Sequence, residues 1–525
     1  MEALRRVFAI MLADLRERTR TQRFWVVLGL VGVATWFCFP GIDSGQLAIS
    51  VDGARGRYSS AWTGLTLALF YSTMLAWLGF YLVRGTVLRD FDTRVWQLLV
   101  ATPMTRAGYL IAKWASHMAV FCCVIAVGLV VGVIAQVVRG EDRAFDFIEL
   151  VKPVLVITVP SLSITAFFAI VFDMVPMLRR TGGNVLYFFV WLLVFAGLSE
   201  SFSQGVHAAT VQTMSDPAGF TLASHSFAQQ LAHEVPKLDF TNVSVTIGAG
   251  ELGGIKGQPR LFEWTAWHVE PAVLVGRVFW LALGVFLSAA LAPFLDRAAA
   301  HTATAPTADR AGRKLRWLDL ALRPLERGAM GTLVAAELRL ALRRRSLLWW
   351  GVLLVACIVQ CVAPMSNAVI AAVVAWMLSI DVHARALLRE AETRTAGLVF
   401  TAPDAARRLS IARLVSAVLL SLFAVAPLLL RSMLTSTGIV GPILLVAAAI
   451  AALGLGCGAV FRSPRPYELA MAVLAYAGVQ GKGPLAVGEM THAMTAGVAI
   501  ALVAGLALVV ASTPRMAAAG ARTAA

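Results

Sequence analysis

Two acids stand between two arginines at Arg89, Asp90, Asp92 and Arg94, and the arrangement returns at Arg389, Glu390, Glu392 and Arg394. No histidine or cysteine accompanies either set. Carboxylates and guanidiniums at this spacing suit ion pairing with a protein surface rather than catalysis. Each set opens a sixteen-residue stretch that turns apolar and ends in proline: LRDFDTRVWQLLVATP from Leu88 to Pro103, and LREAETRTAGLVFTAP from Leu388 to Pro403. At a constant offset of 300, Leu88, Arg89, Thr93, Arg94, Leu98 and Pro103 recur identically, and both acidic positions keep their charge. Ordinary residue frequencies would give about one identity.

The elements that position these charges are set by composition. Hydrophobic residues make up 59% of the 525 and charged ones 14%, with mean hydropathy +0.76; soluble domains carry roughly 25% charge. The pattern predicts an all-α polytopic membrane protein. Apolar runs near 24–40, 61–83, 110–138, 153–177, 184–200 and 269–295 form one set. A second lies near 347–363, 366–380, 414–430, 438–461, 467–480 and 493–512. The expectation is twelve transmembrane helices in two six-helix halves. Each half is preceded by an amphipathic helix: residues 1–23, with Leu4, Val7, Phe8, Met11, Leu12 and Leu15 at helical spacing, and VAAELRLALRRR before the second. The organisation reads 1–23 interfacial helix, 24–296 first half, 297–331 cytoplasmic linker and 332–525 second half.

A net charge of +15 does not point to nucleic acid, because the basic residues sit beside the spans, where they set orientation. With the N-terminus inside, the inner segments hold 34 of the 45 Lys and Arg. Both termini are therefore expected in the cytoplasm, and the Ala/Arg/Gly-rich style suggests a bacterial inner membrane. The largest outer loop, 201–268, is expected to form a small extracytoplasmic domain, with a strand where Val243, Val245 and Ile247 alternate with polar residues.

This topology puts both charged stretches on the cytoplasmic side, at equivalent places in halves of equal orientation, as in parallel repeats. Their charges are too dense to enter lipid, the Val95–Val100 segment offers an apolar face, and the proline stops the helix. Two readings follow: a helix along the membrane that presents its charges to a soluble partner, or a charged loop that only enforces topology. Two copies matched in charge order favour the first, since topology needs only positive charge.

The stretch RDFDTRVWQLLVATPMTRAGYLIAK, Arg89 to Lys113, is similar to the loop after the second span of ABC-2-type permeases. The second copy departs from it, with LVFTAP for LLVATP and Arg413 where Lys113 stands. The resemblance implies the permease of an ABC transporter, usually an exporter, whose loop docks a separate ATPase as a coupling helix. On that reading the coupling residues are Arg89, Asp90, Asp92, Arg94, Pro103, Arg389, Glu390, Glu392, Arg394 and Pro403, within segments 88–106 and 388–407. The sequence carries no G-x-x-x-x-G-K-[ST]. ATP and Mg would thus act on two partner ATP-binding cassette subunits, one per coupling element, with no cofactor on this chain.

Other candidates are weaker. Lys113 and His117 read as a snorkelling lysine and a packed histidine rather than a proton relay. Asp173 reads as an interfacial ion pair with Arg179 and Arg180. Trp62, Tyr71, Trp77, Tyr187 and Trp191 are either span-end anchors or the lining of a greasy pathway. The six cysteines and the histidines of 201–268 lack metal spacing. The span centres carry no Asp, Glu, Lys or Arg. That favours an external energy source over the alternative of a gradient-driven secondary transporter, while a non-transporting membrane scaffold stays open.

Overall fold

The computed structural model describes residues 2–42, 46–95, 104–179, 181–203, 216–231, 235, 239, 243–251, 260–303, 316–343, 345, 347–393, 395–400, 404–435, 437–479, 483–488 and 490–524. It separates into two units, Met1–Thr304 and Ala305–Ala525. The linker expected over 297–331 is helical at both ends, and its centre, 304–315, lies outside the described residues.

In the first unit an amphipathic helix α1 (Glu2–Thr19) precedes α2 (Gln22–Trp36). A span follows, built from α3 (Ser60–Phe70), a π-helical turn (Tyr71–Leu75) and α4 (Ala76–Val83), and then the short α5 (Thr86–Asp92). The centre of the unit is α6 (Arg106–Arg139), started by the Thr105 hydroxyl accepting from the Gly108 N–H and ended at Gly140, φ +67°. At 34 residues it measures roughly 51 Å, more than the ~30 Å apolar layer, so it projects beyond the layer. Helices α1, α2 and α3 pack on it, as do α8 (Val159–Met174) and α11 (Pro271–Ala290). A second π turn (Val154–Thr158) joins α7 (Phe147–Pro153) to α8. The two π turns belong to packed neighbours, and hydroxyls bridge them: Thr158 donates to the Ala68 carbonyl and Ser161 to that of Ser72. Helices α9 (Thr181–Ser203), α10 (Phe220–Leu231) and α12 (Leu295–Ala303) complete the unit.

The strand expected at Val243 is present as β3 (Val243–Glu251). It pairs antiparallel with β1 (Gln46–Val51), which alternation in so short a segment did not reveal, and a bulge falls between Leu47 and Ile49. With β2 (Ala54–Gly56) and β4 (Arg260–Phe262) the sheet order is β3-β1-β2-β4. Arg55 locks it to the turn after α6 by two bonds to Glu141, at 2.6 and 2.8 Å.

The second unit contains α13 (Arg316–Leu322), the amphipathic α14 (Ala329–Arg343), α15 (Leu347–Val362), α16 (Met365–Ala386), α17 (Arg389–Thr393) and α18 (Ala396–Val399). Next come α19 (Ala405–Ala424), α20 (Ala426–Thr435), α21 (Val440–Phe461), α22 (Arg465–Val479) and α23 (His492–Ala524). Here α14 packs on α19, and α23 on α21. Between α19 and α20 the axis bends by 65°, one residue before Pro427 enters the helix.

Each of the twelve apolar runs falls on a helix. Among the described residues seven helices are long and apolar enough to cross a membrane, or eight if the bent α19–α20 pair is one span. Twelve spans were expected. The runs at 24–40, 184–200, 347–363 and 467–480 lie on helices whose described apolar part is shorter. Fifteen residues, as in α2 or α22, rise only ~22 Å.

Candidate functional site

In the first unit the charged stretch is held by its own chain. α4 ends at Val83, and Gly85 at φ +89° makes a turn that a side chain would strain. The Asp173 carboxylate caps the next helix, accepting from the N–H groups of Gly85 (2.9 and 3.0 Å) and Val87 (3.1 Å). Arg84 lies 3.8 Å from the same carboxylate. The expected ion pair with Arg179 is therefore replaced: Arg179 donates to the main-chain oxygens of Asp173, Met174 and Ala298, because the α5 N–H groups take the carboxylate first.

The next helical turn carries the cluster. Asp90 turns inward and accepts from Lys113 Nζ and the Tyr109 hydroxyl, both at 2.8 Å. Lys113 Nζ also donates to Asp14 on α1, at 2.8 and 3.1 Å. Arg89 reaches Glu17 at 2.6 Å and approaches Asp14 at 3.8 Å. Lys113 is only 2% exposed, so it does not snorkel: two carboxylates neutralise it in place. One ammonium thus ties α1, α5 and α6 together. Beside it His117 packs fully buried, as expected, with Nε2 2.8 Å from the Thr86 hydroxyl.

The second unit builds the same cluster from longer side chains. The Arg413 guanidinium grips Glu390, with one arm at 2.9 Å, and its Nε donates to Glu337 on α14 at 3.1 Å. Arg389 donates to Glu337 at 2.8 Å. Arg413 is buried as deeply as Lys113. Glu337 occupies the place of Asp14, and the surrounding Ala13–Arg16 and Ala336–Arg339 read ADLR and AELR, 323 residues apart. That match in the two amphipathic helices is the signal that could have identified Asp14 and Glu337 beforehand.

The residues read from sequence as facing a partner therefore divide. Arg89, Asp90, Arg389 and Glu390 join the inner clusters. Asp92, Thr93 and Arg94 are exposed, and Arg94 at φ +59° ends the α5 turn. Glu392 lies in α17; Pro103, Arg394 and Pro403 lie outside the described residues. In the second copy α18 follows at once, and its Leu398 is 82% exposed. The aromatic residues are neither anchors nor an open path. Trp62, Tyr71 and Trp77 are buried, Trp77 stacks on Trp191 with ring centroids 4.7 Å apart, and the Tyr187 hydroxyl donates to the Ala76 carbonyl. Among the described residues no group of His, Cys, Asp or Glu is placed to hold a metal ion.

Fold and site together define a multi-pass, predominantly helical membrane protein whose short charged helices are each clamped to an amphipathic helix. Residues 60–226 match the family model of ABC-2 family transporter proteins. The similarity to ABC-2 family transporter proteins covers that segment, 167 of the 525 residues. The match runs from α3 into α10 and includes α5 and Lys113, while α1 and the whole second unit lie outside it. No curated protein and no solved structure matches the chain.

Proposed function

We propose that the chain is the permease of an ATP-driven exporter in which two six-helix halves are fused as parallel repeats. Separate ATPase subunits dock at residues 88–106 and 388–407. ATP and Mg are bound and turned over on those subunits, two per chain, and none of that chemistry falls on this polypeptide. The protein sits in a bacterial inner membrane with both termini cytoplasmic. The observation that carries this reading is the recurrence of one cluster in both units, with a basic residue of the third apolar run gripping an acid of the charged stretch and an acid of the preceding amphipathic helix. A loop that only enforced topology would need neither inward-facing acid.

Within each stretch the inner charges set the position and the outer ones meet the partner. Asp90 and Glu390 anchor their helices, leaving Asp92 and Arg94 in the first copy, and the Leu398 face in the second, toward the ATPase. The test uses the exposed pair. The charge swap Asp92→Arg with Arg94→Glu should abolish co-purification of the ATPase and uncouple hydrolysis from transport while membrane insertion stays intact. Full recovery of the ATPase with this variant would remove the docking assignment. Transport that persists without any ATPase would identify a gradient-driven carrier instead, and the absence of any nucleotide dependence a scaffold.

A further inference from the structure

Helix α11 carries a buried cation that no carboxylate grips. Arg277 is 2% exposed. Its Nη1 donates to the main-chain carbonyls of Asp216, at 2.9 Å, and Pro217, at 3.4 Å. The Asp216 carboxylate is spent on the start of α10. It accepts from the N–H groups of Ala218, Gly219 and Thr221 and from the Thr221 hydroxyl, at 2.7 to 2.9 Å. Glu270, at the head of α11, accepts from Gln229 at 2.9 Å. The Nε and Nη2 of Arg277 are buried and have no hydrogen-bond partner. These two N–H groups lie side by side on one edge of the guanidinium, the edge that grips two oxygens of one carboxylate or phosphate. Nη1 thus pins the side chain while the fork stays unfilled. One turn along the helix the half-buried Trp280 also has its Nε1 without an acceptor.

Leaving a buried charged donor unpaired is costly. The group that fills the fork must bring two oxygens and negative charge, because Nη1 meets only neutral carbonyls. Depth narrows its source. With its continuation to Ala300, α11 forms one apolar span of 30 residues. That is roughly 45 Å, the thickness of a bilayer with its headgroups. Arg277 lies six residues after Pro271, roughly 9 Å in from that end, where the headgroup layer gives way to hydrocarbon. On the same turns Leu274, Val275, Val278 and Phe279 are exposed, a surface suited to acyl chains. We propose that Arg277 binds a phosphate oxyanion through Nε and Nη2, and that a phospholipid headgroup supplies it. The inference goes beyond ATPase docking and holds whether or not an ATPase binds this chain.

Native mass spectrometry of the full chain in detergent micelles tests it, with phosphatidylglycerol, uncharged diacylglycerol and inorganic phosphate as probes. One phosphatidylglycerol should bind in a way that depends on Arg277. Arg277→Lys keeps the charge but loses the fork, and Arg277→Gln loses both. Each should weaken that binding by about tenfold or more, Gln the further of the two. Diacylglycerol should show no such dependence. Arg277-dependent binding of the lipid but not of inorganic phosphate assigns the headgroup as the source; Arg277-dependent binding of inorganic phosphate alone assigns the same fork to a free ion. Lipid and phosphate binding unchanged in both variants, or absent from the unmutated chain, would overturn the proposal. A measurement on the unmutated chain stands apart from folding defects. An electron cryo-microscopy map with phosphatidylglycerol should show phosphate-sized density about 3 Å from both Nε and Nη2. Water-sized density there, or none, refutes the assignment.

Discussion

Lys113 neutralises two carboxylates that would otherwise be buried beside each other, and this makes it the most sensitive single residue of the first cluster. Lys113→Met should destabilise the unit by about 3–5 kcal/mol, the usual consequence of leaving a buried charge without its partner. Lys113→Arg should stay near wild type, since Arg413 performs the same task in the second unit. Thermal unfolding of both variants decides it, and an unchanged midpoint for Lys113→Met would mean that the cluster does not form. Outside the spans, Glu141 makes a pH prediction. Burial alone would push its carboxyl up, but the bonds from Arg55 and the Tyr58 N–H hold it below the ordinary carboxylate value. A lowered folded pKa contributes stability above the unfolded value and loses it as pH falls through the folded one. Acidification should therefore loosen the sheet in the wild type, and Glu141→Gln should remove that part of the pH dependence. The chemistry of Arg89, Asp90, Arg389 and Glu390 was legible in the sequence, but their direction was not. Their partners Asp14 and Glu337 lie 99 and 76 residues before the bases they meet, and only the fold brings them together.

At the scale of elements, periodicity located every long helix but not where one breaks. The run 414–430 reads as continuous because the bend after α19 interrupts no apolar pattern; Pro427 was its one sign. The broken ladder is bridged by a side chain. Gln360 donates to the Ala424 carbonyl at 3.2 Å and accepts from the Leu428 N–H at 3.3 Å, and it is fully buried. Gln360→Leu should leave both backbone groups unpaired among apolar neighbours at a cost of about 1–3 kcal/mol each. Gln360→Glu keeps the acceptor for Leu428 but loses the donor. The expected order of unfolding midpoints is wild type, then both variants well below. A Leu variant as stable as wild type would show that the break is bridged in some other way. The short α5 and α17 were legible for a different reason: their charges cannot enter lipid, so the chain must hold them at its rim.

At the scale of the whole molecule, orientation and stoichiometry are the open quantities, and both follow from features repeated or biased along the chain. In a background with the six native cysteines replaced, Glu263→Cys should react with an impermeant maleimide from outside, and Thr307→Cys should not; the reverse pattern would invert the topology. The count of partners rests on the clusters. Each consists of one inner acid, one gripping base and one acid from an amphipathic helix, and each supports its own exposed face. A single docking face would need one such clamp, and a second copy would be free to lose its buried charges, because a buried ion pair contributes little net stability over an apolar replacement. The second unit has kept the cluster with every charge type preserved while exchanging Lys for Arg and Asp for Glu, so its geometry is rebuilt at full size around a different set of side chains. On the proposed function, two such faces on one chain call for two ATPase copies. Native mass spectrometry of the proposed complex should therefore show one 56.1 kDa chain with two ATPase subunits. Arg413→Met should reduce that to one, since α17 loses its hold on the helix bundle while α5 keeps its own. A wild-type complex with one ATPase, or one that assembles only around two permease chains, would leave the second cluster without a docking role and reduce the pairing of units to a structural likeness.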